Sequence, residues 1–133
     1  MDIDADGLLF AVEDLTEHVE KVYGIKCNFA HTNSVKIKSN LNAIHLFLIT
    51  QEAINNAVKH SKAKNIDIEI TDIDGAITVS VCDDGIGIEN LLDRRTGMGL
   101  NIMKYRARII NSSLYIGQNV AGGTRITCTY KNE

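Results

Sequence analysis

The sequence predicts a single α/β domain in which a layer of about three helices covers one face of a mixed, mostly antiparallel sheet. Three observations carry this expectation. Apolar residues recur at helical spacing in three segments, and they alternate with polar ones in the segments between and after them. The resulting order, α, β, α, ββ, α, ββ, then suits one helical layer on one sheet.

Leu8, Leu9, Val12, Leu15, Val19 and Val22 share a helical face, and Gly24 stands where a helix would stop, so a helix is expected from about Asp6 to Tyr23. Ile25 to Ala30 follows as a strand. Asn40 is a candidate N-cap for a second helix that runs to about His60, where Ser61 to Asn65 breaks the pattern. Ile66, Ile68 and Ile70 alternate, as do Ile77, Val79 and Val81, and Asp74-Gly75 between them suits positive φ, which predicts an antiparallel hairpin. Asp83-Asp84-Gly85-Ile86-Gly87 leaves the second of these strands. A polar stretch from Glu89 to Thr96 comes next, and Gly97-Met98-Gly99-Leu100 opens a third helix to about Ile110. Leu114 to Gly117 and Thr124 to Tyr130 close the domain as strands.

The 133 residues, 44% hydrophobic and 23% charged, suffice for one core, and no shift in composition divides residues 1–133. A net charge of -3 gives no basic footprint, which disfavours nucleic acid as a partner. Cys27, Cys82 and Cys128 are odd in number and lack the paired spacing of a zinc site, so free or buried thiols in a reducing compartment are expected. The longest apolar run, around Ala43 to Thr50, is interrupted by His45 and too short to cross a membrane. A cytoplasmic domain without membrane contact is expected, and a larger, membrane-anchored parent is compatible with it.

The second helix carries Gln51-Glu52-Ala53-Ile54-Asn55-Asn56-Ala57-Val58-Lys59-His60. Glu52, Asn56, Lys59 and His60 share one stripe, while Phe47, Ile54, Ala57 and Val58 supply an apolar side. A carboxylate, a neutral oxygen ligand and cations in series suit a magnesium-phosphate substrate. A solvated charged face has the same look. Asp83 stands at a strand end, with Gly85 and Gly87 leaving room for a planar ligand against the backbone. Its carboxylate only accepts hydrogen bonds, so it suits adenine's exocyclic amine and not guanine's carbonyl, although Asp and Gly are also ordinary turn formers. Gly97 to Leu100 would offer free N–H groups to phosphate at a helix start, or be an ordinary helix start. Neither glycine pair completes a dinucleotide fingerprint, because Asn90 and Ile102 stand where the third glycine belongs, and no Gly-Lys pair forms a Walker loop. Each motif is weak alone. Their joint order, closed by Gly122-Gly123-Thr124 at a strand start, is much less probable by chance.

In that order the motifs resemble those of GHKL ATPases, with Glu52 to Ser61 similar to the N box, Asp83 to Gly87 to the first glycine box and Gly97 to Leu100 to the second. The runs Gln51 to Ser61 and Gly97 to Ala107 are most similar to the catalytic domain of NarL-partnered sensor histidine kinases, and the resemblance spans nearly the whole chain. It implies a two-layer α/β sandwich of the Bergerat type, with ATP between the helices and the sheet under a lid formed by residues 88 to 96. It further implies that Asn56 ligates Mg2+, that Glu52 acts as general base or polarises the attacking group, and that Lys59 and His60 lie near phosphate. Asp83 would read adenine, Gly85 and Gly87 would border the base, and the segment of Gly97, Met98, Gly99 and Leu100 would meet phosphates. Thr124 would support the adenine end through Asp83. The implied reaction transfers the γ-phosphoryl of ATP to a histidine for relay to a response regulator. Family acceptors are commonly followed by an acidic residue, but His18, His31, His45 and His60 are followed by Val19, Thr32, Leu46 and Ser61. The acceptor is therefore expected on a separate dimerisation domain of a homodimeric parent, with the isolated domain a monomer. The lid is short, lacks a phenylalanine box, and carries Arg94 and Arg95, which are expected to be solvated. The alternatives are an anti-sigma-type GHKL serine kinase and a nucleotide-responsive binding module without transfer.

Overall fold

Gly24 ends the first helix as its place in the sequence predicts. It adopts a left-handed φ of 67° at the C-cap of α1 (Leu8–Tyr23) and donates its N–H to the Glu20 carbonyl at 3.0 Å, a conformation that glycine reaches without a Cβ clash. In this computed structural model the described residues are 7–59, 62–87, 94–120 and 122–132, with residues 94–98 described by their backbone alone. The expected start of α1 near Asp6 lies outside them. Strand β1 (Lys26–His31) leads to α2 (Asn40–Lys59), then β2 (Asn65–Ile73), β3 (Ala76–Asp83), α3 (Arg94–Ile109), β4 (Ser113–Gln118) and β5 (Thr124–Lys131).

Two expected boundaries move. Asn40 is already helical, and the cap of α2 is Ser39, whose Oγ accepts the Asn42 N–H at 3.3 Å while its carbonyl accepts that of Ala43 at 3.0 Å. The hydroxyl reaches the third residue of the helix, which is the usual geometry of a serine cap. Helix α3 begins at Arg94, so Gly97 to Leu100 lie inside its first two turns and Arg94 to Thr96 belong to the helix instead of the polar lid. Arginine is a good helix former and glycine a poor one, so the helix extends through the residues ahead of the glycines. The rest of the expected lid, residues 88–93, lies outside the described residues.

The sheet order is β1-β2-β3-β5-β4. β1 runs parallel to β2, the two being joined through α2, as parallel neighbours require a long crossover, and every other neighbouring pair is antiparallel. The β2–β3 turn has φ of 53° at Asp74 and 82° at Gly75, the left-handed pair expected for a two-residue hairpin. Asp84 ties the far end of this hairpin. Its Oδ1 accepts the N–H groups of Lys64 and Asn65 and its Oδ2 accepts the Asn65 amide. These bonds, the Asn65 side chain foremost, hold the carboxyl below its ordinary range.

The inner face of the sheet is a single apolar series. Ile66, Ile68 and Ile70 of β2, Ile77, Val79 and Val81 of β3, and Ile126, Cys128 and Tyr130 of β5 pack against Leu8, Val12 and Val19 of α1, Leu46, Ile49 and Ile54 of α2, and Leu100 and Met103 of α3. Asp67 and Glu69 face outwards. Two-residue periodicity places Asp83 next after Val81 and Thr124 just before Ile126 on that inner face, so the apolar space between the layers ends in a carboxylate and a hydroxyl, 6% and 4% exposed. This two-layer α/β sandwich places the end of β3, the start of β5, the last turns of α2 and the first turns of α3 together. The buried side of α2 predicts that Leu46→Ala will cost about 2–5 kcal/mol in urea unfolding, whereas Phe10→Ala on the exposed side of α1 will stay within about 0.5 kcal/mol.

Candidate functional site

Asp83 is the centre of one half of the site. Its Oδ1 accepts the Gly85 N–H at 2.9 Å and the Thr124 N–H at 3.3 Å, and its carbonyl accepts the Asn119 amide at 3.3 Å. Gly123 makes this approach possible. Its φ is 90°, and a Cβ there would collide with the Asp83 carbonyl and stand 2.8 Å from Oδ1, so glycine is required by both conformation and space. Gly87, with φ of 88°, packs against the Gly123 carbonyl. Gly123 O and Asn119 O in turn accept the N–H groups of Asn119 and Gly122, each at 3.0 Å. The first glycine motif and Gly122-Gly123-Thr124, 35 or more residues apart in the chain, thus form one structure.

The other half lies on α2 and α3. Glu52 is half-buried and Asn56 is 6% exposed, so this part of the polar stripe is partly inside and is not a solvated charged face. The reason is α3, which lies over it: a Cβ on Gly99 would stand 2.5 Å from Glu52 Oε1 and 3.2 Å from Asn56 Oδ1. Lys59 is exposed at the last residue of α2, and His60 lies outside the described residues. Leu100 packs in the core, Gly97 and Met98 are helical, and the side chains of Arg94, Arg95 and Met98 are outside the described set.

Among the described residues, two buried side-chain atoms have no hydrogen-bond partner: Asn56 Nδ2 and Thr124 Oγ1. One belongs to each half of the site. Burying a polar group without a partner costs stability, and a bound polar ligand spanning both halves would remove that cost.

Several contributors escape a reading of local pattern. Asn119 carries no motif, and only its place before Gly122-Gly123 hints at a turn. Asp84, adjacent to Asp83 and chemically identical, is a clamp for the hairpin. His45 accepts from Arg106 Nη1 at its Nδ1, 3.4 Å away, across the α2–α3 contact. His18 and His31 are exposed, the latter with Nδ1 2.6 Å from its neighbour's carbonyl. All three cysteines are free, and burial, with Glu20 second, pushes Cys27 up to about 11.

A glycine-lined carboxylate at one open end of a two-layer sandwich, with an acid and an amide on the facing helix, is the architecture of a nucleotide-binding domain. Residues 41–133 match the family described as histidine kinase-, DNA gyrase B- and HSP90-like ATPase, and the chain belongs to that family of ATP-binding domains. It is 39% identical over 87 residues to the sensor protein NarQ homolog of Haemophilus influenzae, covering 65% of this chain and 15% of that protein. It is 31% identical over 127 residues to the oxygen sensor histidine kinase NreB of Staphylococcus carnosus, covering 94% and 36%. The chain thus spans well under two thirds of the curated relatives it matches. The fold is shared with the ATP-binding domain of PrrB from Mycobacterium tuberculosis, at a TM-score of 0.78 and 16% identity over 98% of this chain and 97% of that one.

The His45–Arg106 contact predicts a pH effect. A guanidinium only donates, so Nδ1 must be unprotonated for the bond to form. Burial first and Arg106 second lower the His45 pKa from its ordinary 6.5. The unfolded chain therefore takes up the proton at higher pH than the folded one, and stability is intact above about 6.5 and declines as pH falls below it. Urea midpoints measured from pH 7.5 to 5 should show this decline, and His45→Gln should reduce its slope.

Proposed function

We propose that this chain is the catalytic ATP-binding domain, one unit over residues 1–133, of a two-component sensor histidine kinase. The observation that carries the proposal is the Asp83 carboxylate, buried and oriented by Gly85 and Thr124 at the inner end of the sheet. An acceptor held in that orientation suits the exocyclic amine of adenine, and the Thr124 hydroxyl beside it supplies a further polar partner. Gly85 and Gly87 border the base, and Gly123 keeps the carboxylate in place. At the other half, Asn56 faces the phosphates with an amide that half a turn can present as either oxygen or NH2. Mg2+ supplies charge neutralisation across the phosphate oxygens when bound. Asn56 would hold it through its amide oxygen, in keeping with a cation that binds through few side chains and substrate phosphates. Lys59 adds positive charge at the end of α2, His60, next in the chain, would lie near phosphate as the family's motif implies, and the turns of α3 carrying Gly97, Met98, Gly99 and Leu100 close the phosphate end.

Glu52 stands where it can accept the proton, or the hydrogen bond, of the attacking group as its nitrogen bonds the γ-phosphorus and ADP leaves. The histidines among the described residues do not serve as that group. His18 and His31 lie on α1 and β1 away from the Glu52 stripe, and His45 is engaged with Arg106. The acceptor is a histidine on a separate dimerisation domain of a homodimeric parent, the product is relayed to a NarL-type response regulator, and this domain is a cytoplasmic monomer when isolated. No described helix is long and apolar enough to cross a membrane, which is compatible with a parent anchored elsewhere.

Calorimetry with ATP and Mg2+ tests the base end. Asp83→Asn replaces a charge-assisted acceptor by an amide and should weaken ATP binding by roughly 10- to 100-fold; unchanged affinity would remove Asp83 from adenine recognition. Transfer from labelled ATP tests the chemistry, with a histidine-bearing dimerisation domain or an anti-anti-sigma protein as acceptor. Glu52→Ala should abolish transfer to the former while ATP affinity stays within about threefold. Acid-stable phosphoserine on the latter would instead identify a serine kinase.

A further inference from the structure

Gly99 poses a question that its backbone does not answer. It is the sixth residue of α3 and has no positive φ, and an L side chain is conformationally preferred over glycine in such a position. Its N–H also lies beyond the free first turn of the helix, where a phosphate would find unbonded donors. What a side chain there would meet is the polar ends of two others, which would have to turn aside. The three nearest atoms to a Cβ built there are Glu52 Oε1 at 2.5 Å, Asn56 Oδ1 at 3.2 Å and Glu52 Cδ at 3.5 Å, all on α2. By contrast, Gly24 and Gly122 meet nothing within 4 Å and are explained by their left-handed φ.

We infer that Gly99 is a positioning residue for Glu52: without a side chain, it lets the backbone of α3 rest on the carboxylate and so determines where Oε1 sits. A second contact fixes the same pair of helices. Arg106, seven residues after Gly99, donates to His45, seven residues before Glu52. The antiparallel helices are therefore pinned at two points about two turns, or ~10 Å, apart. Rotation or lateral shift of α3 is resisted at both, and any movement that does occur is delivered to the Glu52 carboxylate.

The contact is a property of the folded chain, whereas its functional consequence rests on the phosphoryl-transfer role proposed for Glu52, and the two are tested separately. Thermal unfolding of the nucleotide-free chain compares wild type, Gly99→Ala, Glu52→Ala and the double variant. Gly99→Ala should raise Tm less in the wild-type background, where the Glu52 carboxylate must turn aside, than in the Glu52→Ala background, where the better helix former meets no carboxylate. An equal change in both backgrounds overturns the contact. With ATP, Mg2+ and a histidine-bearing dimerisation domain, Gly99→Ala should lose at least tenfold in transfer rate while its ATP affinity stays within threefold. Equal loss of both would make Gly99 a phosphate contact and overturn the positioning role. Undiminished transfer by Glu52→Ala would instead refute the phosphoryl-transfer reading while leaving the difference between the two Tm changes intact.

Discussion

The buried Asp83 carboxylate is the constraint around which the open end of the sandwich is organised. A carboxylate on the inner face of a sheet is costly unless its oxygens are hydrogen-bonded, and here the donors are backbone N–H groups of Gly85 and Thr124. Those donors come from segments far apart in the chain, so satisfying the charge brings the end of β3 and the start of β5 to a fixed separation. Gly123 is the steric condition for that separation, and the Asn119 turn holds Gly123 where it is needed. One polar group thus sets the position of two loops, and both loops line the same space.

The facing half is built on a different principle. Glu52 and Asn56 are positioned by the close approach of two helices, with little hydrogen bonding between them and the rest of the described chain. Close helix approach requires a small residue at the crossing, and Gly99 is that residue. The two halves are joined through the shared core, since Ile54 and Ala57 of α2 and Leu100 and Met103 of α3 pack on the same apolar series that ends in Asp83 and Thr124. Base recognition and phosphate chemistry accordingly depend on different classes of interaction within one compact frame.

Much of this was legible in the sequence because its causes are local. The helical period of α1 and α2, the alternation in β2 and β3, the Asp74-Gly75 turn and the Gly24 stop each depend on residues within a few positions, and each is found where expected. The order of strands in the sheet, the Ser39 cap and the start of α3 were less legible, since a serine beside an asparagine, or arginines ahead of glycines, allow more than one boundary. Long-range partners left no local trace. Asn119 bonds Asp83 across 36 residues and Arg106 bonds His45 across 61, and nothing in either neighbourhood names the partner. Asp84 shows the same limit, because only the fold separates its clamp from the site acid next to it. Among the motif residues, His60 and the segment 88–93 fall outside the described set, and Glu52, Asn56 and Gly99 were individually visible without their mutual contact being so.

The central claim is that adenine is read by the Asp83 cluster, and amide-resolved NMR titration of the 15N-labelled chain tests it most directly. Addition of ATP with Mg2+ should produce saturable shifts at the Gly85 and Thr124 amides, the two donors to Asp83, whereas GTP with Mg2+ at the same concentrations should leave them unmoved. Equal shifts with both nucleotides, or ATP-induced shifts that spare Gly85 and Thr124, would contradict the account.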